Sequence, residues 1–166
     1  MQTATLLFEY PNEKPLVLRL TATSDGIAMI DSLDEIPEGE FASDADSLSH
    51  PILKQTVREL KDYFAGRLKE FTVPIDLQIG TEFQREVWAE LRRIPYGKTI
   101  SYGQQAKNIG RPNAMRAVGG ANGRNPLVIV IPCHRVLSSA GKLHGFSSGL
   151  DLKRRLLAVE GLDIRK

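Results

Sequence analysis

Four consecutive β-branched residues, Val128-Ile129-Val130-Ile131, run directly into Pro132-Cys133-His134-Arg135. A stretch this apolar has no face suited to water, and its side chains favour extended backbone. It reads as a short strand buried on both faces that stops at the proline. The chain must then build enough core to cover that strand, and 166 residues with 42% apolar content suffice for one moderate domain or two small lobes. Cys133 is the only cysteine, which excludes an internal disulfide framework and a cysteine-based metal cluster and makes a reducing, cytoplasmic compartment the expectation. No stretch approaches the ~20 apolar residues of a membrane span. The opening MQTATLLFEYPNE lacks the basic region and long apolar run of a signal peptide.

The net charge of +2 hides an uneven distribution. Residues 1–83 are strongly acidic, whereas residues 84–142 carry ten Lys and Arg against only Glu86 and Glu90. The middle of the chain is either a basic surface for a polyanion or a partner for the acidic part.

Two lobes follow from the patterning, residues 1–80 and 81–166. In the first, Thr3–Tyr10, Pro15–Ala22 and Ile27–Ile30 are rich in β-formers, with Asp25-Gly26 as a turn, and predict a three-stranded antiparallel meander. Residues Pro37 to Ser49 predict an exposed loop. Leu53, Val57, Leu60 and Phe64 predict a helix that Gly66 can end. In the second lobe, Thr81 and Gln84 fit a capping box, followed by the stripe Phe83, Val87, Trp88 and Leu91. Ser101 and Gln104 fit another box opening a short helix. After the Gly110-Arg111-Pro112 turn, Asn113 can cap a helix from Ala114 to Asn122. Two short helices across a brief Gly-containing turn suggest a helix-turn-helix. Leu150 to Glu160 predicts a final helix ended by Gly161. The fold class is therefore α/β (α+β): a small sheet-plus-helix lobe, then a mainly helical lobe carrying a short active-site strand.

Cys133 is either a small buried hydrophobe or a reactive thiol. Its position at a strand end, and neighbours that are cationic or can become so, favour the thiolate and hence a nucleophile. In extended backbone His134 points away from Cys133, so contact between them requires a turn or a water. Glu160 can orient the imidazole. It is an acid in the last turn of a helix, where the dipole disfavours negative charge, and this broken local rule marks either a site or a solvated surface group. Arg116 lies among Ala114, Ala117, Gly119, Gly120 and Ala121. Mid-helix glycines cost about 1 kcal/mol each relative to alanine, which close approach of something large to the backbone, DNA or another helix, would offset. Arg116 is then a phosphate clamp, a wedge or a solvated charge. Tyr102 offers a phenol or merely packs its ring, while His50 and His144 read as structural or exposed, and no histidine pair has metal-ligand spacing on a helix.

The segments GTEFQREVWAELRRIPYGKTISY, GRPNAMRAVGGANGRNPLVIVIPCHRV and GFSSGLDLKRRLLAVEG closely resemble the methylated-DNA–protein-cysteine methyltransferases, also called O6-alkylguanine-DNA alkyltransferases. The resemblance covers nearly all of residues 80–161, with YFAGRLKEF upstream. Before residue 50 it is loose, through TSDGIAMI. It implies single-use repair of duplex DNA. The damaged guanine is extruded, because a thiol cannot reach its alkyl carbon in line inside the stack, and the O6-alkyl group, chiefly methyl, moves irreversibly onto Cys133. By the same resemblance His134 takes the thiol proton through a water, Glu160 polarises His134, Asn125 is a hinge, and Tyr102 donates to the guanine ring. Arg116 is the finger that holds the flipped base out. Ser101, Ala117, Asn122 and Gly123 accompany it on the DNA side, with the second motif helix in the minor groove and little sequence preference. The carbonyls of Cys133 and Val136, the backbone of Ser147, and Phe146 and Ser148 face the guanine. Double-stranded DNA containing O6-alkylguanine, with O4-alkylthymine as a second lesion, is the implied partner. The implied protein is a monomer without cofactor.

Departures from the family pattern have consequences. Phe146 stands where tyrosine is frequent. Val128 and Asn122 stand where some relatives grip bulky alkyl groups, which bears on benzyl-sized adducts and not on methyl. Some relatives hold zinc in the first lobe through cysteine and histidine; that lobe has no cysteine here, so no such zinc is expected. The rival readings are a non-catalytic module that binds alkyl lesions, a helix-turn-helix regulator and a cysteine hydrolase. The presence of Cys133 opposes the first, the combination of Cys133, His134 and Glu160 opposes the second, and the stability of a thioether opposes the third.

Overall fold

The computed structural model describes residues 1–9, 13–38, 45 and 48–164. Tyr10, assigned to the first strand by its sequence, and most of the Pro37–Ser49 loop lie outside them. The chain divides into two units, Met1–Gln78 and Ile79–Lys166.

The first unit is built on the β-forming runs that predicted its meander. Strands β1 (Gln2–Phe8), β2 (Leu16–Ala22) and β3 (Ile27–Leu33) pair antiparallel in that order. Leu6, Leu18, Leu20 and Ile30 are buried among them. Helix α1 (Pro51–Phe64) buries Leu53, Val57 and Leu60, and the Phe64 ring lies 4.6 Å from that of Phe8. Gly26 serves more than the turn: a Cβ there would sit 2.6 Å from the Pro74 carbonyl, which accepts from the Ile27 N–H at 2.8 Å. Glu59, an acid on the inward face of α1, accepts from the Thr72 and Val73 N–H groups at 3.0 and 3.1 Å and so ties the following segment to the helix.

The second unit is mainly helical. Helix α2 (Glu82–Leu91) has the complete Thr81–Gln84 capping box, and Val87, Trp88 and Leu91 are buried. The Trp88 indole donates to the Ala121 carbonyl at 2.8 Å, as a buried indole N–H requires. Strand β4 (Ile100–Ser101) leads into α3 (Tyr102–Asn108), which is followed by α4 (Met115–Gly123), strand β5 (Val136–Leu137) and α5 (Leu150–Val159). Gly110, at φ 72°, makes the turn between α3 and α4. The parallel pairing of β4 with β5 was not foreseen from sequence.

Several local expectations are corrected. Val128–Ile131 is not a strand. The Ile131 N–H donates to the Leu127 carbonyl at 2.8 Å, closing a buried turn in which Ile129 takes φ 79°. That conformation costs a β-branched residue roughly 1–3 kcal/mol. Burial of the four side chains, each no more than 7% exposed, offsets it. The active-site segment itself, Cys133–Arg135, is a single 3-10 turn. Ser101 does cap α3 through its hydroxyl, but Gln104 turns to Asn108 rather than completing the box. Helix α4 begins at Met115 with no side-chain cap, so Asn113 does not fill that role.

Candidate active site

The 3-10 turn after Pro132 decides where the three chemical side chains go. Cys133 is buried, and the Asn125 amide donates to its sulfur at 3.2 Å and to the Ile131 carbonyl at 2.7 Å, while Asn125 Oδ1 accepts from the Leu127 N–H. One side chain thus fixes both ends of the turn that presents the thiol. Asn125 sits just past the end of α4, so it also links that helix to the cysteine.

His134 is fully buried, and its Nε2 lies 2.7 Å from Glu160 Oε1. Glu160, at the C-cap of α5, is held from three sides. Arg135 donates through Nε at 3.1 and 3.0 Å to its two oxygens and through Nη2 at 2.9 Å, and the Gly97 N–H donates to Oε2 at 3.0 Å. The fourth Arg135 bond, Nη1 to the Ile94 carbonyl at 2.6 Å, fixes the guanidinium in turn. Burial alone would push the Glu160 carboxyl up, but the His134, Arg135 and Gly97 donors outweigh it and hold it at about 2. A carboxylate so firmly ionised places the His134 proton on Nε2 and leaves Nδ1 as the basic nitrogen. Burial, only partly opposed by Glu160, lowers the imidazole pKa and keeps it neutral.

This arrangement overturns the expectation that flanking cations hold Cys133 as thiolate. Arg135 is committed to Glu160, His134 is neutral, and burial pushes the thiol up to about 11 against the pull of Asn125 and Lys153. Cys133 therefore rests as a thiol and needs a base when it reacts. Iodoacetamide is expected to modify Cys133 slowly at neutral pH and faster as pH approaches 11, followed by peptide mass. A rate that levels off below pH 9 would mean the thiol is not raised.

Lys153 is a residue of this site that sequence reasoning missed. It is fully buried on α5, donates to the Val136 carbonyl at 2.6 Å and the His144 carbonyl at 3.1 Å, and sits 5.8 Å from both the Tyr102 and Phe146 ring centroids. Burial lowers it to about 8, against the opposing pull that Cys133 exerts when it is ionised. The signal was a lysine one turn before Leu157 and two before Glu160, on the inward face of the helix.

Tyr102, at the start of α3, donates to the His144 and Gly145 carbonyls at 2.8 and 3.1 Å. A cavity of about 640 Å³ opens beside it, lined in part by Met115, Arg116, Gly119, Phe146 and Ser147. Val136 is buried, and Ser148 lies in the same loop as Ser147. On α4, Arg116, Ala117, Gly120 and Gly123 are exposed and form a face almost free of side chains beyond Cβ, apart from the arginine. Nothing lies within 4 Å of a Cβ built on Gly120 or Gly123. Asn122 is not on that face. It is buried and exchanges two hydrogen bonds with Gln105, at 2.9 and 2.8 Å, which corrects its assignment to the DNA side. Ser101 spends its hydroxyl on the α3 cap. Among the described residues no group of three or more His, Cys, Asp or Glu is placed to hold a metal ion, and no helix is long and apolar enough to cross a membrane.

Residues 82–162 match the family model for the 6-O-methylguanine DNA methyltransferase DNA binding domain, and residues 17–77 that for the ribonuclease-like domain of the same proteins. A methylated-DNA–protein-cysteine methyltransferase of Methanosarcina acetivorans is 56% identical over 108 residues, 65% of this chain and 69% of that protein. The chain belongs to the 6-O-methylguanine DNA methyltransferase family. A family member from Mycolicibacterium paratuberculosis is 58% identical over 104 residues, and the matched segment spans 62% of its length, under two thirds. Among solved structures, Mycobacterium tuberculosis OGT in complex with DNA aligns with a TM-score of 0.76 at 39% identity, over 95% of this chain and 92% of that one. An O6-methylguanine DNA methyltransferase from Methanococcus jannaschii aligns at 0.65 and 28% identity, over 97% of this chain and 96% of that one. The family's α/β architecture, with an N-terminal sheet lobe and a helical C-terminal lobe, is thus that of this chain.

Proposed function

We propose that this chain repairs duplex DNA by moving the O6-alkyl group of a guanine, chiefly methyl, onto Cys133, once per molecule. The observation that carries the reading is a buried thiol joined by Asn125 to α4, whose exposed face is nearly bare of side chains, beside a neutral histidine oriented by a carboxylate that cannot easily protonate. His134 Nδ1 takes the Cys133 proton through a water. The sulfur attacks the alkyl carbon as the carbon–O6 bond breaks, and the thioether forms. The Lys153 ammonium lies where it stabilises charge developing on the sulfur. The Tyr102 phenol exchanges its loop carbonyls for the guanine ring and neutralises the base as it leaves. No step regenerates the thiol, because the cysteine thiolate is a poor leaving group from the unactivated carbon–sulfur bond of a thioether.

The smooth face of α4 enters the minor groove, where a slim helix is needed, and Arg116 fills the space left by the extruded base. Phe146 and Ser147 wall the pocket. O4-alkylthymine is a second lesion, the acting species is a monomer, no cofactor takes part and the setting is cytoplasmic. Incubation with an O6-methylguanine duplex is expected to add one methyl to Cys133 and no more than one per chain, read by intact mass and peptide mapping. No gain on any residue would overturn the reading.

A further inference from the structure

Met115 is one of the few large apolar side chains exposed among the described residues, at 51%, and it opens α4 directly before Arg116. Its sulfur reaches back over α3, 3.9 Å from where a Cβ on Gly103 would stand, and its side chain lines the same cavity as Arg116 and Tyr102. Met115 is not part of the buried face of α4, whose apolar side chains are Val118 and Ala121. The groups around it are complementary to nucleic acid: the lone arginine of an otherwise small-residue face, an aromatic ring and a mostly apolar cavity.

We propose that Met115 is a second wedge beside Arg116, packing its thioether on the face of the base pair exposed when the lesion leaves the stack. A flexible, polarisable side chain suits an aromatic face whose position changes as the duplex opens. Inserted apolar side chains are a general means of holding unstacked steps apart. The division of labour follows from chemistry: Arg116 supplies charge and hydrogen-bond donors to the vacated position, and Met115 covers the apolar base surface that water would otherwise meet. Met115 thereby determines preference for duplex over single-stranded substrate. It touches DNA but neither the sulfur nor the alkyl group.

This inference rests on the alkyl-transfer reading, and the test separates the two. Single-turnover methyl transfer to Cys133 is measured for the whole chain and for Met115→Ala and Met115→Leu, on an O6-methylguanine duplex and on the same strand unpaired. Met115→Ala is expected to slow transfer from the duplex roughly tenfold, the worth of one buried apolar contact of this size, while leaving the single strand unchanged. Met115→Leu is expected to retain most of the duplex rate. Equal rates for Met115→Ala and the unaltered chain on duplex, or an equal loss on both substrates, would overturn the wedge alone. An unaltered chain that transfers no methyl overturns the alkyl-transfer reading and the wedge with it.

Discussion

Arg135→Met is expected to destabilise the chain by about 3–5 kcal/mol, the usual result of removing one partner from a buried ion pair, and to slow alkyl transfer about a hundredfold or more. Arg135 contributes three of the hydrogen bonds that hold Glu160 and anchors itself on the Ile94 carbonyl. Methionine fills similar volume but leaves the carboxylate supported only by His134 and the Gly97 N–H among these donors. The Glu160 carboxyl then rises from about 2. Once it protonates, it no longer fixes the His134 proton on Nε2. The sign of the pH dependence follows. In the unaltered chain Glu160 is depressed, so its contribution is complete above its ordinary range near 4.5 and is lost as pH falls toward about 2. His134 is also lowered, so stability again falls with acid, beginning below the ordinary imidazole value of 6.5. In Arg135→Met the raised Glu160 value narrows that window, so the acid-dependent loss of stability from Glu160 shrinks, while the acid limb of the rate moves to higher pH. Urea unfolding across pH 2 to 8 and a single-turnover pH–rate profile measure both effects. An acid limb that does not move would show that Arg135 serves stability alone. Adding Glu160→Gln to the variant should restore part of the stability without restoring the rate.

Gly120→Leu is expected to reduce binding and repair of duplex DNA at least a hundredfold while leaving the chain as stable as before or slightly more so. A Cβ at Gly120 meets nothing within 4 Å, so leucine is accommodated in the free chain, and it favours helix by about 1 kcal/mol over glycine. On the proposed reading the leucine occupies the space the minor groove needs. Reaction with free O6-methylguanine base, which requires no groove, should be unchanged. Thermal melting, duplex titration and the two rates together form the test. Normal duplex binding by Gly120→Leu would remove α4 from the interface.

Much of this architecture was legible in the chain. The Leu53–Phe64 and Phe83–Leu91 stripes predicted helices because burial of one helical face repeats every three or four residues, and α1 and α2 carry those stripes inward. Thr81 and Gln84 cap α2 because their bonds are local, reaching no further than three residues. The acidic residue in the last turn of the final helix was conspicuous because it broke a local rule, and it proves to be the partner of His134.

What sequence by itself determined were features decided within a few residues: periodicity, caps, turns, and the presence of Cys133, His134 and Glu160 in a recognisable setting. Tertiary structure decided what depends on distant partners. Val128–Ile131 had to be buried on composition alone, but an unbroken apolar run specifies burial without specifying a period, and packing selected a turn with Ile129 at φ 79°. Asn122 looked available beside Gly123 until Gln105, on α3, turned it inward. The cation next to the thiol is neither neighbour in sequence but Lys153, twenty residues on, because a 3-10 turn sends Arg135 to Glu160 and α5 brings a lysine back. Charge pairing and desolvation act through space, and only the folded chain shows which groups share it.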